Sequence, residues 1–314
     1  MPEEGTRFGV QIACAAMHWP ECLEITQAAE ELGYQSVWVP DHYTATPDGL
    51  TPDIHLPLLD GWTALAALAQ ATRRVRLGPL VASATFRHPG ILAKLAATVD
   101  HVRGGRLELG LGGGWFELEH TSLGIPFPGI GVRLRRLEET IRIVRALFTQ
   151  EAVDFEGEFF QLRGAVSEPK PLQKPMPPLV IGATGEKVAL RNVARYADHW
   201  NTYCPAEWYP AKLAALRRHC EAAGRDADSI HRSVMLPLYL EEDEAVGRKL
   251  ASWGRMVRAQ GDAVREWFLV GDEAEIRGRL DRFLALGVGT IIVQVDRRAG
   301  NARTLERFAK TFLR

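Results

Sequence analysis

The chain has 314 residues, of which 46% are hydrophobic and 25% charged, an ordinary globular composition long enough to bury a sizeable core. Its 38 Lys and Arg balance 39 Asp and Glu, which argues against a nucleic-acid or acidic-lipid surface. No apolar run reaches ~18 residues and MPEEGTRFGV carries no apolar signal core, so the expectation is a cytoplasmic protein with no membrane partner.

In chain order, RFGVQIA reads as a first strand, and PECLEITQAAEELG as a helix stopped by Gly33. QSVWVP is a second strand, followed by a Pro-, Asp- and Thr-rich loop over residues 41–60. WTALAALAQATR is a helix, VRLGPLVA a third strand, and PGILAKLAATVDHVRGG a helix between Pro89 and Gly104. RLELGLG is a fourth strand. After it, residues 115–132 do not fit the repeat. LRRLEETIRIVRALF is a helix, and VDFEGEFFQL, with Glu156-Gly157 at its centre, is a small hairpin. PPLVIGA, DHWNTY, HRSVMLPLYL and TIIVQV are the remaining strands. Helices follow from Glu186, through PAEWYPAKLAALRRHCEAAG, up to Arg258, through DEAEIRGRLDRFLALG, and from Ala302.

That makes eight strands, each followed by a helix, with no Pro/Gly/Ser linker between them. The strands are almost continuously apolar, as strands covered on both faces are, so the pairing should be parallel with helices outside. The fold class is therefore α/β. Residues 1–314 are expected to form one domain, a (β/α)8 TIM barrel with insertions at its C-terminal face; an open doubly wound sheet fits the count less well.

GLGGGWFELEH, residues 110–120, lacks the GxGxxG spacing of a dinucleotide fold, because Trp115 stands where the third glycine would be. Gly112, Gly113 and Gly114 have no Cβ, so a flat ligand could lie against their backbone; a turn built of glycine for geometry alone is the alternative. Asp41-His42 directly follows the second strand, where a histidine faces the mouth and can move a proton near neutrality. Spacing alone equally allows a loop-capping Asp and a structural His. Gly182, Ala183, Thr184 and Gly185 end the fifth strand ahead of a helix, a turn that favours an anion but is no P-loop; an ordinary strand–helix turn is the alternative. Trp19, Tyr43, Trp62, Trp115, Phe116, Trp200 and Tyr203 lie near predicted strand ends and suggest an apolar mouth for a planar ligand. Cys14, Cys22, Cys204 and Cys220 have no CxxC or Cys/His ligand spacing, so they read as plain thiols and no metal is expected.

Several stretches together resemble the luciferase-like monooxygenase superfamily in its branch of coenzyme F420-dependent oxidoreductases. They are GYQSVWVPDHY, RHPGILAKLAATVDHVRGGRLELGLGGGWFELEH, GIPFP, RLRRLEETIRIVRALF, EPKPLQKPMPPLVIGATGEK, ARYADHWN and VGDEAEIRGRLDRFLALGVGTIIVQV. The resemblance covers nearly the whole chain and implies a barrel with a flavin or deazaflavin in its mouth. It makes Asp41 and His42 the acid–histidine pair beside the redox carbon, with His42 catalytic. It implies a non-proline cis peptide at Leu80–Val81, within a bulge running on through Ala82 and Ser83 behind the central ring. Gly112 to Trp115 would line the ring and polyol, and Gly182 to Gly185 the phosphate. One departure stands out: members that oxidise a sugar phosphate have a Glu where this chain has Trp115. The implied activity is hydride transfer between F420 and a small organic substrate, as an F420H2-dependent reductase of an activated C=C or C=N bond. An FMN-dependent monooxygenase using reduced flavin and oxygen is the alternative. Barrels of this family often pair, so a homodimer is also expected.

Overall fold

In a computed structural model, which describes residues 7–13, 17–46, 52–240, 244–295 and 302–313, strands and helices alternate along almost the whole chain. The first part runs β1 (Arg7–Ile12), α1 (Trp19–Leu32), β2 (Ser36–Val39), α2 (Gly61–Ala71), β3 (Arg76–Pro79), β4 (Ala82–Ser83) and α3 (Pro89–Val102). The middle runs β5 (Leu109–Gly112), α4 (Glu117–Ser122), α5 (Ile130–Thr149), β6 (Val153–Glu156), β7 (Gln161–Ala165), β8 (Leu179–Gly182) and α6 (Ala189–Tyr196). Then follow β9 (His199–Thr202), α7 (Tyr209–Ala222), β10 (His231–Tyr239), α8 (Glu244–Val257) and α9 (Asp262–Arg265). The chain ends with β11 (Leu269–Val270), α10 (Glu273–Ala285), β12 (Thr290–Val295) and α11 (Ala302–Phe312).

Local chemistry sets these boundaries. Gly33, with φ 92°, takes the left-handed turn that ends α1, and the Asp60 side chain accepts from Thr63 N to start α2. Asp272 and Glu275 form a reciprocal cap at the start of α10.

The strand order is β3-β2-β1-β12-β10-β9-β8-β5-β4, all parallel. β3 and β4 are two halves of the expected third strand, divided at the cis peptide Leu80–Val81. A Leu77–Leu107 bridge links β3 to the lead-in of β5, so the sheet closes into the eight-position barrel. β6 and β7 are the expected hairpin, antiparallel and running on to Ala165. β11 and the helices before it were not expected as a unit. They form an insertion that leaves the end of β10 and returns to pair with Leu238 and Tyr239.

Polar groups plug the barrel's N-terminal end. Arg76, His199, His231 and Thr290 are the first residues of β3, β9, β10 and β12. Arg76 Nε lies 2.5 Å from Glu108 Oε1, and His231 Nε2 lies 2.8 Å from Thr290 Oγ1. His199 reaches Ser233 Oγ at 2.6 Å and Glu108 Oε2 at 3.4 Å. Burial works to raise the Glu108 carboxyl, but His199 and Arg76 outweigh it and hold it down at about 2. Burial, then the neighbouring His199, pushes His231 down to about 4.

None of the described helices is long and apolar enough to cross a membrane. Cys22, Cys204 and Cys220 are buried thiols; Cys14 and residues 47–51 of the first insertion lie outside the described residues.

Candidate active site

The broken third strand is the centre of the mouth. Gln11 Nε2 donates to Leu80 O at 2.7 Å, and Gln294 Nε2 donates to Gln11 Oε1 at 2.8 Å, so β1 and β12 together hold the carbonyl of the cis peptide. The Val81 side chain occupies the space where Gly112 and Gly182 lack a Cβ. A Cβ on Gly112 would come within 2.6 Å of Val81 Cγ2, and one on Gly182 within 3.1 Å of both Val81 methyl carbons.

The missing Cβ atoms of these glycines have a reason within the chain itself. Gly112 makes room for Val81, and Gly113 faces Leu134 Cδ2 at 3.2 Å from an added Cβ. Gly114, at φ 71°, takes a turn that a side chain would strain, and its added Cβ would come within 2.6 Å of Ser83 Oγ. Close approaches within the chain thus fill the missing Cβ positions of all three, which is the turn geometry that had stood as the alternative.

Asp41 and His42 follow β2 and part company. Asp41 is buried, and its carboxylate accepts from Ser83 N at 3.1 Å and from Arg87 Nη1 at 2.9 and 2.6 Å. Arg87 Nη2 goes on to Tyr43 Oη at 2.9 Å. Burial opposes the Asp41 charge, and the Arg87 guanidinium opposes burial. Asp41 is thus a clamp between the end of β2 and β4.

His42 keeps 29% of its side chain exposed, with Nδ1 2.8 Å from Glu119 Oε1. A carboxylate only accepts, so Nδ1 carries the hydrogen and Nε2 is the ring nitrogen available to a ligand. Glu119 is 1% exposed, and its other oxygen accepts from Tyr43 N at 2.9 Å. Glu119 is the functional residue that sequence reasoning passed over. Its signal lay in the quoted GLGGGWFELEH, but α4 is only six residues long and was read as an insertion.

Its neighbour His120 anchors that helix. His120 Nδ1 donates to Phe116 O at 2.7 Å, which leaves Nε2 to accept from Thr85 Oγ1 at 2.7 Å. Thr85 Oγ1 in turn accepts from Ser83 Oγ at 2.6 Å. The chain therefore ties α4 to β4, and Glu119 is delivered to His42 by a fixed support.

The second turn differs from expectation at its far end. β8 stops at Gly182, and α6 begins at Ala189 rather than Glu186. Thr184 O accepts from Lys212 Nζ at 2.7 Å and Glu186 O from His219 Nε2 at 2.8 Å, which ties the turn to α7. Thr184, Gly185, Glu186 and Lys187 stay exposed, whereas Ala183 is buried and accepts from Trp200 Nε1. Because Leu111 pairs with Ile181, this turn and the Gly112–Gly114 turn are neighbours at the mouth. Arg191, on the first turn of α6, has a buried Nε with no acceptor among the described residues.

The aromatics divide. Trp115 is 55% exposed, stacked on Phe116 at 5.1 Å and set edge-on to His42 at 5.6 Å. Trp62 and Trp200 are instead buried core, Trp200 stacked on Tyr209.

A family model described as luciferase-like monooxygenase matches residues 5–290. The chain belongs to the luciferase-like monooxygenase family. An F420-dependent glucose-6-phosphate dehydrogenase of Nakamurella multipartita is 34% identical over 242 residues, 76% of this chain and 68% of that protein. Among solved structures, an F420-dependent secondary alcohol dehydrogenase in complex with an F420-acetone adduct superposes with a TM-score of 0.86 over 99% of both chains, at 20% identity. The monooxygenase RslO1 from Streptomyces bottropensis is 27% identical, with a TM-score of 0.77 over 98% of both chains. The (β/α)8 barrel expected from the strand count is therefore the fold of the chain, and the luciferase-like family expected from the resemblance is its family.

Proposed function

We propose that this luciferase-like protein is a coenzyme F420-dependent oxidoreductase, working as an F420H2-dependent reductase of an activated C=C or C=N bond in a small organic substrate. The observation that carries the reading is His42. Its Nδ1 is fixed by a buried carboxylate, and its Nε2 is left open at the end of β2, next to β4. The F420-dependent dehydrogenase relative supports the choice of cofactor.

The residues fit the group. The Leu80–Val81 bulge, held through Gln11, offers a rigid apolar backing for a ring. The exposed turn at Thr184 and Gly185, with Lys187 and the unpaired Arg191 Nε, suits a phosphate and an anionic tail. When bound, F420 supplies a two-electron hydride donor or acceptor; binding, orientation and proton movement fall to the chain. His42 Nε2 gives a proton to the substrate atom that accumulates negative charge, and takes one in the reverse direction. Glu119 keeps the Nδ1 tautomer and steadies the imidazolium while His42 holds the extra proton. Trp115 and Phe116 cover the imidazole and limit water. With Trp115 in place of the acid of sugar-phosphate oxidisers, the mouth suits a less polar substrate.

The RslO1 likeness favours a second reading, an FMN-dependent monooxygenase on the same barrel. The two part on the His42→Ala variant assayed anaerobically with F420H2 and cyclohex-2-enone. On the reductase reading, the wild type returns oxidised F420, and the variant binds F420 normally but loses at least ~100-fold in kcat. An unchanged kcat would remove His42 from the chemistry.

A further inference from the structure

Across the barrel from His42, at the ends of β9 and β10, the chain builds a second feature that proton transfer at His42 does not use. In the circular order of the barrel positions, β9 is diametrically opposite β2. Tyr203, the residue after β9, packs its ring 5.2 Å from Trp253 of α8 and 5.4 Å from Trp267. Trp208 meets Trp267 edge-on at 5.2 Å and is 46% exposed at the rim. The α8–α9 insertion thus brings two tryptophans onto the C-terminal face of the barrel, against the aromatic residues that follow β9.

Two polar atoms of this cluster are buried without a partner among the described residues, Tyr203 Oη and Trp253 Nε1. Buried donors in native proteins are almost always hydrogen-bonded, because an unmade bond costs ~1–3 kcal/mol. An indole N–H can only donate, and burial keeps the Tyr203 phenol protonated. The rings are close-packed and apolar, and each of the two polar atoms offers a hydrogen to donate, the phenol oxygen being able to accept as well. A ligand that satisfies them brings an acceptor oxygen on a planar, ring-bearing body.

We infer that Tyr203, Trp208, Trp253 and Trp267 form a substrate subsite for an aryl-bearing carbonyl compound, whose oxygen accepts from Tyr203 Oη and Trp253 Nε1. This rests on the reductase reading for the reaction but not for the binding. Because the subsite lies across the mouth from His42, the preferred substrate is elongated, with its reducible bond set apart from the ring that the tryptophans hold. The insertion between β10 and β11 is then the specificity element of this barrel.

The test uses chalcone as the aryl probe and cyclohex-2-enone as the small one, in equilibrium dialysis against the protein with and without F420. Tyr203→Phe removes only the hydroxyl, and Trp253→Phe keeps an aromatic ring while removing the indole N–H with part of the fused ring. Wild type should bind chalcone at least tenfold more tightly than cyclohex-2-enone, and each variant should lose about tenfold for chalcone alone. Without ligand, Tyr203→Phe should melt no lower than wild type, since it removes an unsatisfied hydroxyl; a purely structural tyrosine would give a lower melting temperature. Chalcone binding that is absent, or equal in wild type and variants, overturns the subsite. Cyclohex-2-enone turnover by wild type with F420H2 is scored separately. Variant-sensitive chalcone binding without any turnover upholds the subsite and rejects the reductase reading, and turnover with variant-insensitive chalcone binding does the reverse.

Discussion

Replacing Gly112 by Ala tests the packing that shapes the mouth. The new Cβ would stand 2.6 Å from Val81 Cγ2, well inside ordinary van der Waals contact, and Val81 is a stiff β-branched residue. Overpacking of this kind costs about 1–3 kcal/mol, a fall in Tm of the order of 5 °C for a domain this large. Since the obstacle is one side chain, Val81→Ala should relieve most of it, giving a favourable coupling of about 1 kcal/mol or more in a double-mutant cycle. Gly110 provides the control. Its added Cβ would overlap the Pro79 carbonyl oxygen, a backbone atom that trimming Val81 does not move. Gly110→Ala should therefore be destabilising with or without Val81→Ala. Thermal melts by circular dichroism of the five variants and wild type decide the matter. A Gly112→Ala protein that melts like wild type, or one that Val81→Ala fails to rescue, would refute this account of the glycines.

Glu119→Gln keeps the size of the side chain but cannot steady an imidazolium at His42; kcat should fall roughly 10- to 100-fold with KM little changed, and an unaltered kcat would make Glu119 merely structural. The barrel floor should make the protein acid-labile. Folded His231 binds its proton only near 4 while the unfolded residue takes one near 6.5, so its contribution is full above 6.5 and is lost as the pH falls from there to 4. Glu108, held at about 2 against 4.5 unfolded, adds a second loss between those values; each shift is worth up to about 3 kcal/mol. Urea midpoints measured from pH 8 down to pH 4 should decline from about pH 6.5, and His231→Gln should flatten that first decline; a level profile in wild type would contradict it.

The barrel was legible because its strands are nearly all apolar and its helices carry their own end signals, such as Gly33 after α1 and Pro89 at the first turn of α3. What pattern could not show was the division of the third strand. Residues 75–82 read as one run, and the side-chain pattern is silent on peptide isomers; the Leu80–Val81 position came from the family resemblance alone. The glycines of the fourth strand were noticed, but their cause, the room that Val81 needs, is a contact between strands and has no local signature. Glu119 went unread for a related reason. A helix of six residues shows too little periodicity to fix which face it turns inward, so the carboxylate behind His42 emerges only from tertiary structure. The late start of α6 is similar, since the turn before it is held by Lys212 and His219 on the next helix.

The most direct test of the account is a fluorescence titration of the purified protein with F420 and, separately, with FMN. Micromolar binding of F420, weakened by Arg191→Ala and accompanied by no comparable binding of FMN, is the predicted result. Tight FMN binding with none of F420 would contradict it, and would move the chain to the monooxygenase reading of the same barrel.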